Sequence, residues 1–486
     1  MKQVPTGIPG MDQILDKGFT RPSTVLIAGT AGTGKTTFAI QSLFAAAKNS
    51  ETCLYFSAIS EPIAMLSGYM ANFSFYDQSL YEDENLIYFD LSHEIMKNKT
   101  YDLIDIIDEN VEAIHPDRIA IDPITTMDLS LSDSERRQFY FDLFVGMKGW
   151  NSLVLVTGEF TEGGVATSPI SYVADAIIYL SNELRKGCRV RYLDVLKMRG
   201  QDYASGKHVY RITSEGIATY PDPPMTDGAT ATNIRVSTGI PGLDQLLSGG
   251  LIHGTTTLLT GPSGTGKTTT GMHFILEGAR KGEPGLIVTF EENAAQLRRN
   301  AASFGWDIKS LEEDDMLHIQ YPAHEDVYAG ESLLRMHDCI TEFGVERVLI
   351  DSINGFGDFS PDGDGVEYIR KSSRYLKSRN ITMVFTNETR DLLGSTKITE
   401  GGVSHVTDTV ITLRYVEIAS ELLRAISVLK MRGSAHDAGI HETEITEQGL
   451  TVKVDEPSFK RYEGIFSGVP TLTRAEAFDK VFGRRR

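Results

Sequence analysis

The chain has 486 residues, of which 41% are hydrophobic and 23% charged, as is typical of a globular protein with two or three domains. Its net charge of −19 repels a phosphate backbone and therefore argues against general nucleic-acid binding. No run approaches the roughly 20 apolar residues of a membrane helix, and the opening MKQVPTGIPGMD predicts no signal peptide. The three cysteines lack metal-ligand spacing. We therefore expect a cytoplasmic protein with no membrane partner.

The chain contains the same unit twice. TGIPGMDQIL at residues 6–15 returns as TGIPGLDQLL at 238–247, and GTAGTGKTT returns as GPSGTGKTT, both 232 residues later. A constant offset over this span indicates a duplication. The stretch PDPPMTDGATATN between the copies has the composition of a linker. We predict a first domain at 1–222, a linker at 223–233, and a second domain at 234–486 that ends in a short C-terminal tail.

Short apolar runs alternate with helical patterns in each copy. TVLIAG and TTLLTG precede the two glycine-rich loops, and LIVTF, RVLID and TMVFTN follow the second loop at the spacing of βα units. Continuous runs of Val, Ile and Leu are typical of parallel strands that are covered on both faces. Each copy is therefore predicted to be an α/β domain with a mostly parallel sheet and helices on both faces.

Each glycine-rich loop fits the P-loop pattern G-x-x-x-x-G-K-[ST], at residues 29–36 and 261–268. In such loops backbone N–H groups surround the phosphates, the lysine reaches the β- and γ-phosphates, and the Thr hydroxyl binds Mg²⁺. A chance glycine-rich turn is the alternative, which two copies with correct flanks disfavour. We predict ATP sites formed by Gly32, Thr33, Gly34, Lys35, Thr36 and Thr37, and by Gly264, Thr265, Gly266, Lys267, Thr268 and Thr269.

An aspartate ends an apolar run in each copy, Asp122 in RIAID and Asp351 in RVLID. A strand-terminal aspartate alone could simply start a turn. Behind a P-loop, at similar spacing in both copies, it is the second protein group on the Mg²⁺ side. We therefore predict that Asp122 and Asp351 bind Mg²⁺ together with Thr36 and Thr268.

The motif TFEEN places Glu291 and Glu292 after the run LIVTF, 24 and 25 residues beyond Lys267. Ligands of open parallel sheets bind at the carboxyl ends of the strands, and a carboxylate there can accept a proton from the attacking water or hydroxyl. We predict that one or both are catalytic, with Glu291 also near Mg²⁺; a solvated strand end is the alternative. In the first copy, LYFSAISEP supplies only Glu61, or no acid if the gap is placed differently, which leaves hydrolysis there open.

The hexapeptide VLKMRG occurs in both copies and carries Lys197 with Arg199, and Lys430 with Arg432. On a strand, residues two apart share one face. A solvated edge strand is one interpretation. The other is a nucleotide role, because in P-loop ATPases such cations often come from the next subunit and stabilise the γ-phosphate charge. Completion in trans predicts a closed, head-to-tail ring.

Together these motifs resemble the KaiC family of double-domain RecA-like ATPases. The resemblance covers almost the whole chain and rests on both TGIPG motifs, both P-loops, TFEEN, VTDTVITLRYVEI, RAISVLKMRGSAHD and SGVPT. It implies tandem RecA-like domains, a double-ring homohexamer with ATP between subunits, an ATPase first domain and a self-phosphorylating second domain. It also implies that Arg424, Lys430, Met431 and Arg432 lie at the neighbour's ATP, and we count Met198, with Lys197 and Arg199, among the ATP-binding residues of the first domain. The departures are the missing glutamate pair in the first copy and the short tail; no motif identifies a regulatory partner.

The segment KITEGGVSHVTDT, residues 397–409, is where the resembled family carries neighbouring Ser and Thr phosphoacceptors. The Ser position is Ser404 here, the Thr position is His405, and Thr399 is a weaker second acceptor. The resemblance therefore implies autophosphorylation mainly on Ser404, with one acceptor site in place of two. A phosphoserine adds about −1.5 to −2 charges, which suits a signalling or timing switch.

Two other functions fit a duplicated P-loop chain. A RecA- or DnaB-like DNA-dependent ATPase would need basic loops that face a pore, and the net charge of −19 argues against it. A scaffold in which ATP holds the ring together with little catalysis gains some support from the degenerate first copy.

Overall fold

The computed structural model divides the chain into two compact units, Met1–Pro221 and Asp222–Arg486. The described residues are 2–58, 63–96, 100–127, 131–185, 187–225, 232–321, 328–359, 365–389, 405–418, 421–454, 459, 462–463 and 471–472.

The first unit alternates strands and helices along most of its length. Its described strands are β1 (Lys2–Val4), β2 (Phe19–Arg21), β3 (Ser23–Gly29), β4 (Cys53–Ser57), β5 (Leu86–Asp90), β6 (Arg118–Asp122), β7 (Leu153–Glu159), β8 (Ala176–Arg185), β9 (Cys188–Met198), β10 (His208–Thr213) and β11 (Gly216–Tyr220). Its described helices are α1 (Met11–Ile14), α2 (Lys35–Lys48), α3 (Ile63–Met70), α4 (Ser79–Glu82), α5 (Ser92–Met96), α6 (Thr100–Ile114), α7 (Asp133–Gly149), α8 (Glu162–Thr167) and α9 (Ile170–Val173).

The second unit repeats this alternation. Its described strands are β12 (Arg235–Val236), β13 (Leu251–Ile252), β14 (Thr256–Gly261), β15 (Gly285–Thr289), β16 (Leu317–Gln320), β17 (Arg347–Asp351), β18 (Thr382–Glu388), β19 (Thr409–Ile418), β20 (Glu421–Met431), β21 (His441–Thr446), β22 (Gly449–Lys453), β23 (Tyr462–Glu463) and β24 (Thr471–Leu472). Its described helices are α10 (Pro241–Leu246), α11 (Lys267–Arg280), α12 (Ala294–Ser303), α13 (Ile308–Glu313), α14 (Ala329–Phe343), α15 (Ile353–Phe359) and α16 (Gly365–Ser378). In the described part of the chain, no helix has the length and apolar character needed to cross a membrane.

Each unit is built around a nine-stranded sheet. The strand order is β11-β10-β9-β8-β3-β7-β6-β4-β5 in the first unit and β22-β21-β20-β19-β14-β18-β17-β15-β16 in the second. In the first sheet the strands from β8 through β3 to β5 are parallel, and β9, β10 and β11 are antiparallel. In the second sheet the strands from β19 through β14 to β16 are parallel, and β20, β21 and β22 are antiparallel. The two orders are the same once counterpart strands are aligned, as a duplication requires.

Helices cover both faces of each sheet, and alternate residues of the central strand show the two faces. In β3, Val25 and Ile27 pack with α2, whereas Leu26 and Ala28 pack with α6 and α7. In the second unit α11 covers one face, and α14 and α16 cover the other. The predicted fold class, two tandem RecA-like P-loop domains with mostly parallel sheets between helix layers, is confirmed.

The parallel strands bring chemically active residues to one edge of each sheet. Gly29 at the end of β3 pairs with Glu159 at the end of β7, and Ser57 at the end of β4 pairs with Asp122 at the end of β6. Ligands of open α/β sheets bind at this carboxyl edge.

Candidate nucleotide-binding sites

The first P-loop connects β3 to α2. β3 ends at Gly29 and α2 begins at Lys35, as the motif predicts. Gly32 and Gly34 have φ angles of 75° and 89°, which residues with a Cβ rarely adopt. A Cβ on Gly34 would also stand 2.6 Å from Cδ1 of Ile212. Both glycines are thus needed for a turn of the kind that surrounds phosphate with N–H groups.

The second P-loop repeats this geometry. Gly266 has a φ angle of 101° and α11 begins at Lys267. The Nζ of Lys267 donates a hydrogen bond to the carbonyl oxygen of Pro262 at 2.9 Å, and the Nζ of Lys35 donates to that of Thr30 at 2.8 Å. Each lysine therefore lies over its own loop, where the β- and γ-phosphates of ATP would bind.

The threonines of the two motifs divide between structural and exposed positions. Thr33 and Thr265 are buried, and each donates to the carbonyl oxygen of the loop residue three positions before it. Thr37 and Thr269 are partly exposed in the first turns of α2 and α11. The buried pair holds the shape of the loop, whereas the exposed pair is accessible to a ligand.

Asp351 is the centre of a cluster of hydroxyl and carboxylate groups in the second unit. It is 4% exposed, and its Oδ2 accepts a hydrogen bond from Oγ1 of Thr268 at 2.8 Å. Thr386 donates to its Oδ1. Burial raises the pKa of Asp351, the two threonine hydrogen bonds oppose that effect, and the charges of Glu291 and Glu292 add to it. A cation beside Asp351 would relieve this concentration of negative charge.

The chemistry of this cluster fits Mg²⁺. Mg²⁺ is usually held by one or two carboxylates together with hydroxyl, water and substrate-phosphate oxygens. Thr268 and Asp351 offer a hydroxyl and a carboxylate oxygen to the same point. Among the described residues no cluster of three or more His, Cys, Asp or Glu side chains could hold a metal alone. One hydroxyl and one carboxylate leave the other ligand positions of Mg²⁺ to water and to the oxygens of ATP phosphates.

Asp122 has a different set of partners in the first unit. It is also 4% exposed, and Thr157 donates to its Oδ1 as Thr386 does to Asp351. Its Oδ2 accepts a hydrogen bond from the hydroxyl of Tyr55 at 2.7 Å. The second unit has Ile287 at the position that corresponds to Tyr55 in the strand register. The apolar pattern of β4 gives no signal for this tyrosine contact, which sequence reasoning missed.

Glu291 and Glu292 point to different partners. Ser352 donates a hydrogen bond to Oε1 of Glu291, whose side chain is exposed beside the end of β17. Nδ2 of Asn300 donates to Oε2 of Glu292 at 3.0 Å. Glu292 also lines a cavity of about 270 Å³ that reaches Thr268. Glu291 is therefore the more exposed of the two carboxylates, and its charge acts to raise the pKa of Lys267.

The counterpart segment of the first unit contains Glu61, which lies outside the described residues. Its proposed role as the base of the first domain therefore stays a prediction.

Glu159 and Glu388 are functional candidates that sequence reasoning missed. They end β7 and β18, and each pairs with the last residue of the P-loop strand. Burial lowers the pKa of Lys35 and of Lys267, and the charges of Glu159 and Glu388, respectively, are the strongest effects that oppose it. The signal was present in the sequence, because an acid follows the apolar run VLVTG or VFTN in both copies.

Lys197 and Arg199 contact α9 and the short segment that joins it to β8. The Nζ of Lys197 donates to the carbonyl oxygen of Ser171 at 2.8 Å. Arg199 donates to the carbonyl oxygen of Tyr172 at 2.9 Å and forms an ion pair with Asp175 at 3.3 Å. The two cations therefore lie side by side, as their spacing predicts.

Lys430 and Arg432 have the same arrangement in the second unit. The Nζ of Lys430 donates to the carbonyl oxygen of Thr407 at 2.8 Å, and Arg432 donates to that of His405 at 3.4 Å. Arg432 is also 3.9 Å from Asp408. Burial, and then the neighbouring arginine, lowers the pKa of Lys430. Each pair thus places two cations side by side next to one aspartate, Asp175 or Asp408.

These cation pairs lie at the opposite edge of the sheet from the P-loop of their own unit. Met198 pairs with Ala176, which pairs with Val25, four residues before the end of β3 at Gly29. In the second unit Met431 pairs with Thr409, which pairs with Thr257, four residues before the end of β14 at Gly261. Neither pair can therefore reach a phosphate in its own P-loop.

Arg424 is separated from Lys430 by the length of β20. Its Nε donates to the carbonyl oxygen of Gly264 at 3.1 Å, in the P-loop of its own unit, and its guanidinium lies 5.6 Å from the centre of the Tyr415 ring. The resemblance implies a contact with a neighbour's ATP together with Lys430. The contacts of Arg424 instead place it at its own P-loop, because an antiparallel hairpin sends its two ends to opposite edges of the sheet.

Ser404 and Thr399, the predicted phosphoacceptors, lie outside the described residues. The described chain resumes at His405, which is exposed and whose carbonyl oxygen accepts the hydrogen bond from Arg432.

Comparison with known proteins supplies the family. A family model described as ATPase: KaiC matches residues 4–224 and 236–457. The chain is 33% identical over 484 residues to the circadian clock oscillator protein KaiC of Picosynechococcus sp., over 97% of this chain and 93% of the relative. It is 32% identical over 482 residues to the circadian clock oscillator protein KaiC 1 of Synechocystis sp., over 97% of this chain and 92% of the relative. With two P-loops, each facing a buried aspartate, the chain belongs to the KaiC family of ATPases.

Proposed function

We propose that the protein is a cytoplasmic ring ATPase, a homohexamer of two stacked rings, that binds ATP and Mg²⁺ between subunits and phosphorylates itself in the second domain. The observation that carries the proposal is the position of the two cation pairs. Lys197 with Arg199, and Lys430 with Arg432, lie too far from their own P-loops to act in cis. A head-to-tail ring gives each pair a neighbouring P-loop to serve.

Hydrolysis in the second domain would use side chains that already converge. Lys267 would bind the β- and γ-phosphates, and Thr268 and Asp351 would hold Mg²⁺, which neutralises the charge that develops on the phosphates. Glu291 would accept the proton of the attacking water or hydroxyl. The neighbour's Lys430 and Arg432 would stabilise the γ-phosphate in the transition state.

The cation pair of the second domain also supports the autokinase function. Lys430 and Arg432 hold the carbonyl oxygens of Thr407 and His405, and His405 directly follows Ser404 in the sequence. Side chains that reach a neighbour's ATP would therefore carry this segment to the same ATP. The hydroxyl of Ser404 could then attack the γ-phosphorus in line while ADP leaves. Relatives that are named circadian clock oscillator proteins support a role of this phosphorylation as a timing or signalling switch.

Phosphopeptide mapping tests this proposal. After incubation with ATP and Mg²⁺, we expect phosphate on Ser404 and its loss in Ser404→Ala and in Glu291→Gln. Ser310→Ala, which removes an exposed serine from α13, is the matched control and should keep the phosphate. Absence of phosphate between residues 397 and 414, in hexamers verified by native mass spectrometry, would contradict the autokinase function.

A further inference from the structure

Glu159 lies on the face of the first sheet that carries the P-loop helix. Along β7, Leu153 and Leu155 pack in the core beneath α2, whereas Val154 and Val156 pack in the core on the other face. Strand side chains alternate between faces, so Glu159 projects on the side of Leu153 and Leu155. Its side chain is exposed. It therefore stands at the carboxyl edge, on the nucleotide face and in contact with solvent.

The register brings Glu159 directly beside the start of the P-loop. Glu159 is the cross-strand partner of Gly29, and the next residue, Phe160, donates its N–H to the carbonyl oxygen of Gly29 at 3.1 Å. Neighbouring strands lie about 4.8 Å apart. The backbone of Glu159 therefore lies one strand away from the loop that would hold the phosphates. Its carboxylate raises the pKa of Lys35 more than any other acid does.

Asp122, the other acid that acts on Lys35, is not available for proton transfer. It is buried, and both of its carboxylate oxygens accept hydrogen bonds, from Tyr55 and from Thr157. This environment suits a carboxylate that holds a cation in a fixed place. A general base needs access to the attacking water, and of these two acids only Glu159 has that access.

The second unit has the counterpart acid Glu388, and the N–H of each acid is held by a side chain, that of Glu159 by Oγ1 of Thr125 at 3.3 Å. The main chain of Glu388 is fixed by Asn354, which donates to its carbonyl oxygen at 3.1 Å and accepts from its N–H at 2.8 Å. There, Glu291 supplies a further exposed carboxylate near Lys267. The first unit has lost the Glu-Glu pair from its sequence but has kept the acid at the end of β7.

We propose that Glu159 is the general base for ATP hydrolysis in the first domain, a role that rests on the proposed ATPase function. The water oxygen forms a bond to the γ-phosphorus as the bond from that phosphorus to the β–γ bridging oxygen breaks. ADP leaves with the electron pair of the broken bond. The water proton passes to the carboxylate of Glu159, which later releases it to solvent. Asp122 and Thr36 would hold Mg²⁺, and Lys35 would bind the γ-phosphate.

The test measures hydrolysis in a chain that carries Lys267→Ala, so that turnover comes from the first domain. In this parent, Glu159→Gln should lower kcat at least about 100-fold, the usual contribution of a general base. Its affinity for a fluorescent ATP analogue should stay unchanged. Glu162→Gln, an exposed acid three residues away in α8, is the matched control and should leave kcat and affinity unchanged.

The outcomes separate this inference from the proposed function. If the parent does not hydrolyse ATP above a chain that carries both Lys35→Ala and Lys267→Ala, ATPase activity of the first domain and the role of Glu159 both fall. If the parent hydrolyses ATP and Glu159→Gln keeps its kcat, only the role of Glu159 falls. If Glu61→Gln abolishes turnover in this parent and Glu159→Gln does not, the base is Glu61. If Glu159→Gln does not form hexamers, Glu159→Ala, which also lacks a carboxylate, takes its place, and a kcat equal to that of the parent would overturn the proposal.

Discussion

Mixing two chains that are each inactive at the second site tests whether that site is completed by a neighbouring subunit. One chain carries Lys267→Ala and lacks the P-loop lysine. The other carries Lys430→Ala with Arg432→Ala and lacks the cation pair. If the site lies between subunits, the first chain still supplies the cation pair and the second still supplies the P-loop lysine. Mixed rings should then regain ATP turnover at the second site, which neither chain has alone.

The sheet register shows why Lys430 and Arg432 cannot act on the P-loop of their own chain. Met431 pairs with Thr409 at the start of β19, which pairs with Thr257, four residues before Gly261. At about 3.3 Å per residue this is about 13 Å, before the P-loop itself is counted, so a cation there cannot reach its own γ-phosphate. Cations supplied in trans contribute about 10³-fold or more to kcat. In a random equimolar ring about a quarter of the interfaces join an intact P-loop to an intact cation pair, so about a quarter of second-site turnover should return.

The assay is steady-state ATP turnover of the mixture. The baseline is a chain with all three substitutions, Lys267→Ala, Lys430→Ala and Arg432→Ala, which leaves only the first site. Native mass spectrometry with one isotope-labelled chain verifies that mixed hexamers have formed. Turnover that stays at the baseline in verified mixed rings would refute completion in trans.

Two further predictions concern stability. A Cβ on Gly278 would stand 2.4 Å from Cδ of Arg347, which is 1% exposed, so Gly278→Ala should destabilise the second unit by about 1–3 kcal/mol in urea unfolding; Gly163→Ala, where the space is open, is the control and should not destabilise the first unit. Burial lowers the pKa of His273 from 6.5 to about 4, and its Nε2 accepts a hydrogen bond from the N–H of Leu450. The folded imidazole stays neutral while the unfolded one gains a proton, so stability is full above pH 6.5 and should fall by about 3 kcal/mol as the pH drops to 4. If the free energy of unfolding changes by the same amount between pH 6.5 and pH 4 in the wild type and in His273→Gln, this assignment is wrong.

The fold class could be predicted because its signals are local. Apolar runs of strand length, a P-loop between a run and a helical pattern, and a constant offset of 232 residues all survive in the sequence without knowledge of contacts. For the same reason the positions of Lys35, Lys267, Asp122 and Asp351 at one edge of each sheet follow from strand ends alone.

The partners of these residues could not be predicted, because they depend on register and on direction across the sheet. Tyr55 reads as one more apolar residue of β4 until the register places its hydroxyl on Asp122. Arg424 and Lys430 are six residues apart, which on an extended strand is about 20 Å. The motif RAISVLKMRGSAHD therefore supplies one residue to the P-loop of its own unit and another to the opposite edge of the sheet. Glu159 ends an apolar run as Asp122 does, but its place beside Gly29 follows only from the pairing of β7 with β3.

The paired strands β19 and β20 run from the P-loop of the second unit to its cation pair at the opposite edge of the sheet. At one end Arg424 contacts Gly264, and at the other Lys430 and Arg432 hold the chain around His405. A continuous ladder of hydrogen bonds joins the two ends, with one bulge beside Val410. In a ring, such a stiff connection would act as a lever between adjacent subunits: movement of the P-loop around bound phosphate would shift the cations offered to the next site. Occupancy could then be sensed around the ring without a separate signalling element.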